Sequence, residues 1–491
     1  MRPPSIVALL LMCLAGSLAI AQQRTPTAHA PSDVLNTWIA EHAVAVRSID
    51  PMDEDFSDLE PLVDAIGSAR VVQLGEPSHG AGSAFAGKVR LIKFLHQRMG
   101  FDVLAWESGL YDVESSEAGL RAGVDAVASA RRGIFPIWST SEESRPLFEY
   151  AKESHASPRP LVMAGFDANR TGRPYEEFPA ELRSFVGAVR GPALRDEAVR
   201  AATDVIDAFD EISAYAKAGL AHWAELSRAG TTGDALAEAL AAWERETGAA
   251  LRPGPDAIER LRPAIDRLTE LFDRNAGAFA EIAGDRRRGF MARAVVNLGF
   301  QGVELYEEFG VPVPPPIAQV VVENRRDALM AENLRWLIEE GYPDRKIIVW
   351  AHNAHVMNAY YEAPNFNTIS LEVVPNSMKT MGVHLAEWLG DDLYTIGITA
   401  YEGQDELIGN PATAMVIPPA PEGSVEERLH RLGYAHAFLD LRAARGEADH
   451  PLGGPQTMRV PKYDSVEIAD ATQPYDAIFY LARMEAATLI R

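Results

Sequence analysis

The chain has 491 residues, with 46 Lys and Arg against 70 Asp and Glu, a formal net charge of −24. That negative surplus repels polyphosphates and argues against nucleic acid or anionic membrane surfaces as partners. One cysteine excludes a disulfide scaffold and a thiolate-built zinc centre, and 47% hydrophobic with 24% charged residues is a globular composition.

Met1 to Gln22 reads as a secretory leader. Arg2 is its only charge, Ile6 to Gly16 is a short apolar core, and Ala19-Ile20-Ala21 fits the small-x-small cleavage pattern. The apolar run falls short of the ~20 residues a membrane span needs, which disfavours the alternative of an uncleaved anchor helix. Cleavage after Ala21 removes Cys13, leaving a cysteine-free protein in the periplasm or outside the cell with no stable membrane anchor.

Five short apolar runs follow that read as buried strands: Val71–Leu74, Val103–Trp106, Leu161–Gly165, Ile347–Trp350 and Tyr394–Ile398. Between the first two, Phe85, Val89, Ile92, Leu95 and Met99 recur every three or four residues and end at Gly100, which predicts an amphipathic helix with a glycine C-cap. From about Tyr175 to Phe309 the chain is rich in Ala, Glu, Arg and Leu with helical periodicity, broken at Arg252-Pro253-Gly254-Pro255. The proline run Val311 to Pro316 reads as an extended return to the core.

The expected fold class is α/β, with a central, mainly parallel sheet flanked by helices and a large helical insertion or cap domain over the strand carboxyl ends. The expected boundaries are leader 1–21, first part of the core 22–174, helical insertion 175–310 and second part of the core 311–491.

The chemistry follows the strands. Gly75-Glu76-Pro77-Ser78-His79-Gly80 comes after the first, Glu107 after the second, Phe166-Asp167 after the third and Ala351-His352-Asn353-Ala354-His355 after the fourth. In open α/β sheets ligands bind outside the carboxyl ends of the strands, so four strands in succession deliver ionisable groups to one edge. Any one of them alone is an ordinary helix cap or loop residue. Together they suit hydrolysis. His79 paired with Glu76 or Glu107 can take a proton from water, and His352 with His355 can stabilise an oxyanion or protonate a leaving alkoxide. Lys88 adds positive charge if its helix face meets the pocket, and is a surface lysine otherwise.

The chain has no Gly-x-Ser-x-Gly, Ser-x-x-Lys or His-Glu-x-x-His motif, and its one cysteine lies in the leader. A covalent serine or cysteine mechanism therefore has no support. Ser78 is a poor nucleophile candidate, because a base beside it in sequence rarely reaches its hydroxyl.

Leu74-Gly75-Glu76-Pro77-Ser78-His79-Gly80, Gly100-Phe101 and the Glu107 strand resemble the opening of the erythromycin esterase family, which includes members labelled as succinoglycan-biosynthesis proteins. The resemblance continues through Gly165-Phe166-Asp167, Asn324-Arg325-Arg326-Asp327 with Met330-Ala331 and Asn333, and Trp350 to Val356. It closes with Met381-Gly382 and Pro421-Glu422-Gly423-Ser424. It implies an α/β core with a helical domain over the cleft and metal-independent, cofactor-free hydrolysis of a small-molecule carboxylic ester or lactone. His79 would be the base, Glu76 and Glu107 would orient it or the water, and His352 and His355 would line the pocket. Lys88, Arg326 and Asp167 would bind substrate or brace the site.

Two features depart from the resemblance: the export leader, where the resistance enzymes are read as cytoplasmic, and Pro77-Ser78 in place of Ala-Thr. Two other functions stay open on the residues alone. One is a metal-dependent hydrolase using Glu76, His79, Glu107, His352 and His355 as ligands. The other is a non-catalytic envelope or polysaccharide-assembly protein that only holds a ligand. The oligomeric state is open.

Overall fold

The computed structural model describes residues 32–172, 176–229, 231, 233–248, 250, 256–309, 315–362, 368–370, 377–408, 413–445 and 450–490. The leader with Cys13, the Arg252–Pro255 break and residues 311–314 of the proline run lie outside the described residues. The described residues divide into two compact units, one holding Glu176–Ala318 and the other residues 32–172 together with those from Gln319 onward.

The second unit is built on one large sheet. Its strands are β1 (Val44–Val46), β2 (Val71–Leu74), β3 (Phe101–Gly109), β4 (Val162–Asp167) and β5 (Lys346–Trp350). Two small antiparallel sheets accompany it. One takes β6 (Tyr360–Glu362), β7 (Thr368–Ser370) and β8 (Ser377–Lys379). The large sheet resumes with β9 (Leu393–Asp405), β10 (Met415–Ile417) and β11 (His436–Asp440). The other small sheet takes β12 (Gln456–Arg459) and β13 (Ser465–Ile468), and β14 (Ala477–Met484) returns to the large one. Its order is β1-β11-β14-β9-β2-β5-β3-β4, with β10 on β9. The six strands from β14 to β4 run parallel, while β1, β10 and β11 are antiparallel additions.

All five strands read from the sequence lie in the parallel block, so the α/β class with a mainly parallel sheet holds. The boundaries shift. β3 and β4 extend through Glu107 and Asp167, which therefore belong to strand ends rather than to the loops after them. β14 carries the same apolar signal at Ala477–Leu481 and is a sixth strand of the parallel block, which the sequence reading did not single out. The helix after β2 spans Gly82–Met99, with Gly100 closing it at φ 80° and donating its amide to the Leu95 carbonyl. Phe85, Val89, Ile92 and Leu95 bury its stripe in the main core, each such side chain contributing about 1.5–3 kcal/mol.

The first unit is helical: Phe178–Gly187, Pro192–Arg228, Gly233–Trp243, Ala257–Arg274, Ala276–Ala283 and Asp285–Phe309. The next helix, Pro315–Trp336, corrects one expectation, since Pro315 and Pro316 open it rather than ending an extended run. Proline suits the first turn, whose amides have no intrahelical acceptor. No helix among the described residues is long and apolar enough to cross a membrane.

Candidate active site

The loops after β2 and β5, adjacent parallel strands, are stitched together. The Glu76 amide donates to the Ala351 carbonyl at 3.1 Å, and the Asn353 amide donates to the Glu76 carbonyl at 2.8 Å. This fixes Glu76, which is fully buried. One of its oxygens takes the Lys88 ammonium; the other lies 3.3 Å from His79 Nδ1. A carboxylate only accepts, so Nδ1 carries the proton and the Nε2 lone pair is left open. Among the described residues Nε2 has no hydrogen-bond partner, and the His79 side chain is 34% exposed.

Lys88 is also fully buried. Its Nζ donates to the Ala351 carbonyl at 3.2 Å and lies 4.1 Å from the centre of the Trp350 ring. Burial pulls its pKa down to about 8, against the opposing pull of Glu76 and Glu107. The surroundings are indole: Trp106 stacks on Trp350 at 4.6 Å, and Trp138 meets His79 edge-on at 5.4 Å. This apolar wall strengthens every charge interaction beside it.

A second cluster forms around Arg326, on the Pro315–Trp336 helix. Its guanidinium grips Asp167 through Nε at 3.2 Å and Nη2 at 2.7 Å, and Nη2 also reaches Glu107 at 3.1 Å. Glu107 accepts the His352 amide at 2.8 Å and lies 3.4 Å from His355 Nε2. Burial raises the Glu107 pKa, but His355, His79, Arg326 and the His352 amide outweigh it and hold the group at about 2. His355 Nδ1 lies 3.0 Å from Asp327, whose same oxygen accepts the Met381 amide at 2.6 Å. Burial opposes a charge on His355, yet Asp327 and Glu107 lift its pKa to about 9. The ring is therefore an imidazolium that donates to both carboxylates, with Arg326 a like-charged neighbour at 3.3 Å.

The His355 pair carries a stability signature. A raised histidine pKa means stability present in full below the unfolded value of about 6.5 and lost as pH rises to about 9. The difference in denaturation midpoint between the wild type and His355→Gln should thus be constant below pH 6.5 and shrink towards pH 9. A flat difference from pH 6 to 10 would exclude the charged pair.

His352 differs from expectation. Its Nδ1 accepts the Ala354 amide at 3.0 Å, capping the Asn353–Val356 helix, and Nε2 donates to the Pro77 carbonyl at 3.1 Å. Burial, with His79, Lys462 and His355 nearby, holds its pKa well below the usual histidine value. A neutral ring with both nitrogens engaged is a wall of the site rather than a proton donor. Lys88 and Asp167 are both fully buried, Lys88 against Glu76 and Asp167 against Arg326. Ser78 donates its hydroxyl to Asp405 at 3.1 Å, away from any nucleophilic role.

The structure adds Asp327, the partner of His355, and Glu323, whose carboxylate is 3.9 Å from Arg326 Nη1. Asp327 sits beside Arg326 in the motif quoted above, and Met330, one turn on, is buried; that spacing was the available signal. Gly382, also in the quoted motifs, packs against the end of the His355 helix, where a Cβ would fall 2.2 Å from the Val356 carbonyl oxygen. Among the described residues no three His, Cys, Asp or Glu side chains are grouped to share a metal ion. The carboxylates of the site face Lys88, Arg326 and His355 instead.

The family model described as erythromycin esterase matches residues 96–484. The chain is 27% identical over 487 residues to the Bacillus subtilis (strain 168) protein "Putative hydrolase YbfO", covering 98% of both chains. It is 23% identical to Escherichia coli erythromycin esterase type II, covering 92% of this chain and 98% of that one. Its fold is similar to the open conformation of a mutant of the erythromycin esterase EreC, with a TM-score of 0.57, 16% identity and coverage of 90% of this chain and 98% of that one. A family model matched from residue 96 to residue 484, most of the chain, leads to one conclusion: the chain belongs to the erythromycin esterase family of hydrolases.

Proposed function

We propose that this protein is an exported hydrolase that opens a carboxylic ester or lactone by direct attack of water, with His79 as the base and with neither a metal nor a covalent enzyme intermediate. The observation that carries the reading is the Glu76–His79 pair, in which a buried carboxylate holds Nδ1 and leaves Nε2 open. His79 Nε2 takes a proton from water as the water oxygen attacks the carbonyl carbon. The oxyanion develops beside the cationic His355 and Arg326, and collapse expels an alkoxide that takes the proton back from His79. Export rests on the leader, and cleavage after Ala21 is checked by the mass of the exported protein.

The test is hydrolysis of a panel of aryl esters, alkyl esters and macrolactones after chelator treatment, followed by a single turnover in ¹⁸O water. Direct attack puts the label in the product acid and none in the protein. Label retained in an enzyme carboxylate, or turnover abolished by chelation and restored by metal, would reject the mechanism. Lys88 sets a further expectation. Only its protonated form neutralises Glu76, so kcat/KM should fall as pH rises through about 8. Lys88→Arg, which stays charged, should move that alkaline limb towards the His355 value of about 9. An alkaline limb unmoved in Lys88→Arg would reject the assignment.

A further inference from the structure

We propose that Asp405 is a positioning residue for His79, holding its loop through Ser78. The proposal rests on reading His79 as the base. Asp405 ends β9 and is buried. Its Oδ1 accepts the Ser78 hydroxyl at 3.1 Å, and its Oδ2 accepts the Tyr463 phenol at 2.5 Å. The Ser78 oxygen in turn accepts the Gly80 amide at 3.2 Å, so one hydroxyl ties together the residues on either side of His79.

The loop lies directly on the carboxylate. A Cβ at Gly80 would fall 2.3 Å from Asp405 Oδ1 and 2.5 Å from the Glu406 carbonyl oxygen, so only glycine fits there. From the other side the Ala487 amide donates to the Gly80 carbonyl at 2.8 Å. The backbone around His79 is thus pinned from two distant parts of the chain.

Burial raises the Asp405 pKa, and Tyr463, Ser78 and His79 oppose that rise. The His79 ring itself meets Glu76, which bonds it, and His352 at 5.0 Å between ring centres. Glu76 thus orients the ring while Asp405, through Ser78, holds the backbone.

The experiment compares Asp405→Asn, Asp405→Glu, Ser78→Ala and His79→Ala with the wild type, using 4-nitrophenyl acetate. Asp405→Asn should lower kcat about 10- to 100-fold with KM within about twofold, the size of effect expected from misplacing a reacting group. Asp405→Glu should recover part of the loss, and Ser78→Ala should lower kcat while leaving KM unchanged.

Wild-type kcat in both Ser78→Ala and Asp405→Asn would overturn the proposal. Should Asp405→Asn not fold, wild-type kcat in Ser78→Ala alone overturns it. Loss of turnover in His79→Ala alongside wild-type behaviour of the other variants would remove Asp405 from the mechanism and leave the base in place. Wild-type turnover in His79→Ala would remove the base itself.

Discussion

His79→Ala is expected to lower kcat/KM about 10²- to 10⁴-fold on every ester or lactone the protein hydrolyses, the range a positioned general base supplies. The fold should survive, because the side chain is 34% exposed and Glu76 keeps its contact with Lys88 after the ring is removed. Melting and circular dichroism should match the wild type while turnover collapses. Glu76→Gln is a harsher change. It removes the group that fixes the ring tautomer and leaves the Lys88 ammonium buried without a counter-charge, so activity and stability should fall together. A wild-type rate in His79→Ala across the panel would remove histidine-activated water from consideration.

Arg326→Ala is expected to carry the largest loss of stability, about 3–5 kcal/mol, because removing one partner of a buried ion pair strands the other. Here two buried carboxylates lose that partner: Asp167, at 0% side-chain exposure, keeps the Asn169 amide but loses its counter-charge, and Glu107, at 2%, is left with His355 and the His352 amide. Urea midpoints and thermal melts measure the loss. Arg326→Lys should recover little of it, since an ammonium cannot reproduce the two-pronged grip on Asp167 together with the Glu107 contact. Full recovery by lysine would mean that charge alone matters, and a midpoint within experimental error of the wild type in Arg326→Ala would mean that the cluster carries no net stability.

The sequence reveals the edge of the sheet better than its depth. Buried parallel strands leave short apolar runs, and a chain turning from strand to loop places its polar residues next, so Glu76, Glu107, Asp167 and His352 were legible from position alone. Contacts between distant segments were not. Asp327 is 28 residues from His355, and Asp405 is 327 residues from Ser78; spacing within a segment is blind to both. Lys88 is an intermediate case. It lies three residues after Phe85 and four before Ile92, on the same apolar stripe, and that periodicity favours the buried side. His352 shows the converse. Its position was correctly read, but its role was hidden because a backbone amide and a backbone carbonyl engage both ring nitrogens.

Every residue assigned to the chemistry belongs to the sheet unit, and none of them lies in Glu176–Ala318. The two parts of the gene therefore carry different demands. A substitution between 176 and 318 that keeps its helices packed leaves every charge pair of the sheet edge with its partner, whereas one at the sheet edge must keep a buried charge matched.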